Sequence, residues 1–138
     1  GPLADGTQGR AGLVMQRVAA LTAAISACGH SSEWEQSMRL LDEMRLLELR
    51  ADLVAYNATI SACEKGTRWP LGLALLAEMS LRATHPDAVT CNTLISAYEK
   101  GSEWERAVAL LDGMRGMSLQ PDVISFSAAL SACGSAGE

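Results

Sequence analysis

Apolar residues recur along this 138-residue chain on two superimposed periods. The short one is helical. Leu21/Ile25/Cys28, Tyr56/Ile60/Cys63, Cys91/Ile95/Tyr98 and Phe126/Leu130/Cys133 stand at i, i+4 and i+7, which places each set on one face of a helix. A second stripe follows each of the first three: Trp34/Met38/Leu41, Trp69/Leu73/Leu76 and Trp104/Val108/Leu111, closed by Met44, Met79 and Met114. The long period is 35 residues. It carries Trp34, Trp69 and Trp104, the triplets Ile25-Ser26-Ala27, Ile60-Ser61-Ala62 and Ile95-Ser96-Ala97, and the aspartates Asp52, Asp87 and Asp122.

These periods predict repeats of two helices each, over residues 18–52, 53–87 and 88–122, with a truncated fourth repeat over 123–138 that holds a first helix only. One helical hairpin cannot bury both of its faces, whereas stacked hairpins share a continuous core. The expected fold is therefore all-α, an α-solenoid of stacked antiparallel helix-turn-helix hairpins. Ser32, Thr67 and Ser102 are expected to open the second helices. Ser32-x-x-Glu35 and Ser102-x-x-Glu105 have the form of capping boxes, and Pro70 suits a first turn. Pro86-Asp87 and Pro121-Asp122 end two repeats, since proline cannot continue a helix. Residues 1–17 read as an irregular segment, loop-like to Gly12, in which Leu13, Val14 and Met15 either extend the first helix backwards or remain from a decayed repeat. The pattern stops where a second helix would begin, so a piece of a longer array is expected.

Composition narrows the function. About half the residues are apolar, enough for a helical core, and no apolar run is expected to reach the length of a bilayer span, so no membrane role is expected. The four cysteines fall in the repeat register, with Cys28, Cys63 and Cys133 at one place, and form no C-x-x-C. Buried free thiols are the expectation, with no metal and no cofactor. No phosphate loop, G-x-S-x-G or H-E-x-x-H occurs, so catalytic residues are expected to be none and the segment is not read as an enzyme. The net charge of −5 weighs mildly against nucleic acid.

The third repeat, Ala88-Val-Thr-Cys-Asn-Thr-Leu-Ile-Ser-Ala-Tyr-Glu-Lys-Gly101 followed by Trp104-Glu-Arg-Ala107 and Gln120-Pro-Asp122, resembles the pentatricopeptide repeat family, and the second repeat resembles it nearly as closely. The first is weaker, with Thr22 in place of Asn and Ala51-Asp52 in place of Pro-Asp. The likeness covers residues 18–138. It implies a right-handed superhelix that binds single-stranded RNA one base per repeat. It also implies that the fifth and last residues of a repeat read the base: Thr22 with Asp52, Asn57 with Asp87, Asn92 with Asp122, and Ser127 as a fourth reader. By family preference these pairs read 5′-GUU-3′. The second residue of each repeat, Ala19, Val54, Val89 and Ile124, would wedge against the bases, and Lys65 and Lys100 would meet phosphate.

The resemblance further implies work on organellar RNA, in chloroplast or mitochondrion, in stability, processing, editing or translation, beside other RNA-processing proteins. Read without it, Asn57 and Asn92 are helix caps, the valines packing and the lysines solvated surface. The alternative function is a helical scaffold that grips a protein partner in its concave groove; a degenerate array tail with a structural role is a third.

Overall fold

The structure is a computed structural model. It describes residues 2–117 together with Leu119 and Leu130, and side chains from Gly9 onward. Six helices follow in order: α1 (Pro2–Gly29), α2 (Trp34–Leu46), α3 (Leu53–Lys65), α4 (Trp69–Leu81), α5 (Ala88–Lys100) and α6 (Trp104–Gly116), with no strand among the described residues. The chain is an all-α helical repeat. Helices α3 and α5 are 13 residues each, as are α2, α4 and α6, and equivalent helices start 35 residues apart. Only α1, at 28 residues, breaks the rule.

The first helices form one continuous row, α1 against α3 and α3 against α5. α2 packs on α1 and α3, α4 on α3 and α5, and α6 on α5, while the backbones of α2 and α4 stand apart and are bridged by the ion pair of Arg45 with Glu78 at 2.6 Å. A close row backed by a splayed one curves the array, with α1, α3 and α5 on the inner side. The shared core lies between the rows. Ile25, Ile60 and Ile95 are fully buried, as are Met44, Met79 and Met114, so these two regular apolar markers are its centre, while the period tryptophans Trp34, Trp69 and Trp104 pack half-buried against it. The thiols of Cys63 and Cys91 lie in the same core, where burial raises both to about 11 and keeps them protonated and inert. Cys28 is half-buried, and Cys133 lies outside the described residues.

Three sequence expectations are corrected. First, residues 2–17 are helical rather than irregular. Proline is tolerated at the first helical position, and three interior glycines weaken a helix without interrupting its hydrogen bonds. Second, Gly9–Gly29 does have the length and mean hydropathy, 1.4, of a bilayer span. Alanines raise its average although Arg10, Gln16 and Arg17 leave no uninterrupted apolar run. Its C-terminal half packs on α2 and α3, with Ile25 in the core.

Third, Thr67 and Ser102 do not cap the second helices. They are left-handed, at φ 55° and 58°, and belong to the ends of the first helices. The N-caps are Glu33, Arg68 and Glu103, none with a side-chain capping bond. Every helix from α2 to α6 closes with the amide two residues beyond its cap donating to a carbonyl five residues back: Leu49 to Met44, Arg68 to Cys63, Thr84 to Met79, Glu103 to Tyr98 and Leu119 to Met114, at 2.8–2.9 Å. This is a Schellman closure, which requires a left-handed residue, and the connection is too short for that residue also to cap the next helix. Ala83 fills the position at φ 55°. Ala83→Gly should therefore stabilise the chain by about 0.5–1 kcal/mol, the relief of left-handed strain less the entropy glycine adds to the unfolded state. Thermal unfolding would check it, and an unchanged or lower midpoint would refute the strain.

Candidate nucleic-acid interface

Among the described residues, the sites anticipated from the sequence fall on the inner row. Val54 and Val89, the second residues of their repeats, are 53% and 58% exposed although both are apolar. They are surface side chains and not packing. Each stands one helical turn before the fifth residue, Asn57 or Asn92, so valine and asparagine share a face. Ala19 is likewise exposed on α1. A cleft of about 340 Å³ opens between α3 and α5, lined by Ser61, Glu64, Lys65, Val89, Asn92, Thr93 and Ser96. Val89 and Asn92 of one repeat thus meet the C-terminal end of the preceding first helix.

Asn57 and Asp87 come together. The side-chain amide of Asn57 donates to Asp87 Oδ1 at 3.2 Å, across the 30 residues that separate the fifth and last places of the second repeat. Asp87 is also the N-cap of α5, accepting from the Thr90 amide at 3.0 Å. The Thr90 hydroxyl accepts from the Asp87 amide at 3.2 Å, and its own proton lies within reach of Asp87 Oδ1, at 2.9 Å, and of Asn57 Oδ1. Asn57 therefore has both ends of its amide held, with one N–H and one lone pair to spare. It is not itself a helix cap.

Burial alone would raise the Asp87 carboxyl, but the bonds from the Thr90 amide, the Thr90 hydroxyl and Asn57 outweigh it and hold the group below the usual aspartate range. A carboxyl depressed by folding stabilises the protein above its unfolded value, and that contribution fades as pH falls through the folded value. Carboxyl NMR should find Asp87 titrating below an ordinary aspartate, with Asp87→Asn abolishing its share of acid destabilisation; a midpoint at or above the ordinary range would contradict the network.

The other pairs differ. Asp52 caps α3, accepting from the Ala55 amide at 3.0 Å, while the Thr22 hydroxyl oxygen is buried without a hydrogen-bond partner, so no Thr22–Asp52 bond forms. Ala55 stands where the next repeat has Thr90, and no hydroxyl links this pair. Asp122, Ile124 and Ser127 lie outside the described residues.

Both lysines anticipated for phosphate have protein partners. Lys65 donates to the Gly29 carbonyl at 2.6 Å and to Ser61 at 3.2 Å. Lys100 pairs with the Glu64 carboxylate at 2.6 Å, and Ser96 donates to the same carboxylate at 3.0 Å. Sequence reasoning passed over Ser61, Glu64, Ser96 and Thr90. The serines recur in phase with their lysines, and that recurrence was the available signal; Thr90 has no counterpart in the second repeat.

Comparison with known proteins adds to this geometry. The PPR repeat family matches over residues 86–135, and the PPR repeat over residues 19–49. The chain belongs to the pentatricopeptide repeat family. No curated protein matches it in sequence. Among solved structures it is similar to the pentatricopeptide repeat protein PPR10 from maize, at 29% identity and a TM-score of 0.72, covering 85% of this chain and 17% of that one. PPR10 in complex with an 18-nt psaJ RNA element is similar at 29% identity and a TM-score of 0.74, with the same coverage. The PPR domain of Arabidopsis thaliana protein-only RNase P 1, in complex with tRNA, shares the fold at 19% identity and a TM-score of 0.79, covering 88% of this chain and 64% of that one. The chain thus spans about a sixth of the length of PPR10. Among the described residues no group of three His, Cys, Asp or Glu side chains is placed to hold a metal.

Proposed function

We propose that this chain binds single-stranded RNA along its inner helix row and reads one base per repeat. The observation that supports the reading most is the Asn57–Asp87 hydrogen bond. It joins the two residues the family uses for reading, beside two valines that are exposed at the places where bases would stack. Asn57 presents a donor and an acceptor to a pyrimidine edge, and Asp87 fixes which way that amide points. Val54 and Val89 offer apolar contact to the base planes. The expected sequence is 5′-GUU-3′ for the three repeats, the first weakest because Ala19 is small and Thr22 is not joined to Asp52. The biological setting proposed is organellar RNA stability, processing, editing or translation, with other RNA-processing proteins as further partners and no catalysis by these repeats.

Three repeats with so few cations bind weakly, so the test must register millimolar affinity. In 15N-edited NMR spectra, 5′-GUU-3′ should shift amides of α3 and α5 near Val54, Asn57, Val89 and Asn92, and more strongly than 5′-CAA-3′. Shifts confined to other surfaces, or none with a folded chain, would refute the proposal. A protein partner gripped in the same groove is the competing function; it expects no preference between the two oligonucleotides.

A further inference from the structure

The two junctions between first helices use the same clamp on different partners. At the first junction, Ser61 and Lys65 both donate to the backbone carbonyl of Gly29. At the second, Ser96 and Lys100 both donate to the carboxylate of Glu64. Gly29 and Glu64 occupy equivalent places, 35 residues apart, as do Ser61 and Ser96, and Lys65 and Lys100. The two lysines differ in charge balance. A carbonyl leaves Lys65 with its full positive charge. The Glu64 carboxylate cancels that of Lys100, and its side chain is only 14% exposed against 39% for the lysine. Drawing Lys100 away to a phosphate would leave a mostly buried carboxylate held by Ser96 alone, and stripping one partner from a buried ion pair is costly. Glu64 also lines the cleft that holds Val89 and Asn92, so it sets a negative charge beside the third repeat's base position.

We infer that Glu64 restrains RNA binding at the third repeat by holding Lys100 in an internal ion pair, which leaves Lys65 as the phosphate-binding cation of the two junctions. The inference rests on the RNA-binding reading above. It makes Glu64 a positioning residue that acts through Lys100.

The test compares binding of a U-rich hexanucleotide to the wild-type chain, Glu64→Gln and Glu64→Gln/Lys100→Gln across a series of KCl concentrations, with helicity of each variant checked by circular dichroism. Glu64→Gln should bind severalfold more tightly at low salt. Its log K should fall more steeply with log salt, by about 0.7, the increment for one more phosphate contact on a single strand. The double variant should return to the wild-type affinity and slope. Equal affinity and slope in wild type and Glu64→Gln would overturn the inference while leaving RNA binding intact. Absence of binding by every variant would overturn the RNA reading and this inference with it. If Glu64→Gln loses helicity, Lys65→Gln decides: a shallower slope than wild type supports the assignment of Lys65, and an unchanged slope refutes it.

Discussion

Gly29→Ala should be among the most damaging single changes in this chain, at about 1–3 kcal/mol or more for a single methyl group. The added Cβ would lie 2.7 Å from the Ala58 carbonyl oxygen and 3.1 Å from its Cα. These are backbone atoms in the middle of α3 and cannot swing aside as a side-chain tip does. Either α1 must withdraw from α3 or the Gly29 carbonyl must turn away from Ser61 and Lys65. Urea unfolding would measure the loss against a total stability of about 5–15 kcal/mol for a domain of ordinary size. The glycines at the ends of α3 and α5 meet softer neighbours: a Cβ on Gly66 or Gly101 would strike the Trp34 or Trp69 ring of the preceding hairpin. Those rings are themselves pinned, Arg68 over Trp34 and Arg106 over Trp69, each at 4.8 Å. A Gly29→Ala protein as stable as wild type would show that the first-helix row is not closed as tightly as described.

Thr90→Val carries the second large effect, and it separates fold from reading. Valine keeps the shape of the fully buried Thr90 side chain but removes the oxygen that serves both Asp87 and Asn57. The part-buried Asp87 amide loses its acceptor, at a cost of about 1 kcal/mol, the lower end of what a buried group left unpaired costs. The Asn57 amide loses one of its two anchors and keeps only Asp87. Stability should therefore fall by that amount, and discrimination at the base facing the second repeat should relax while that at the third is kept. Thr90→Ser, which keeps the hydroxyl, should restore both. Loss of stability with unchanged discrimination would reduce Thr90 to a helix-capping role.

Much of the fold was legible because its determinants are periodic. Ile25/Ile60/Ile95 and Met44/Met79/Met114 announce buried positions by recurring at one spacing on helical faces, and burial is what a repeat must keep. The helix ends were misread for a local reason. Ser102-x-x-Glu105 has the form of a capping box, but the backbone spends Ser102 on the left-handed closure of α5, which leaves Glu103 to precede α6. The N-terminal extension of α1 was misread because glycines suggest a loop while its hydrogen bonds are satisfied within the helix. In the candidate site, the nearness of Asn57 to Asp87 followed from the register. The partners of the lysines did not. Lys65 and Lys100 look equivalent in sequence, and only the change from Gly29 to Glu64 one repeat earlier sets one against a neutral carbonyl and makes the other half of an ion pair.

The central claim is that Asn57 and Asp87 together choose a base. Its most direct measurement is the relative affinity of the wild-type chain and of Asn57→Thr for 5′-GUU-3′ and 5′-GGU-3′, followed by NMR with the fold of both proteins verified. The wild type should prefer uracil in the middle position, and Asn57→Thr, which makes that repeat a Thr/Asp reader, should prefer guanine. The same preference in both proteins, with both folded, would contradict the account.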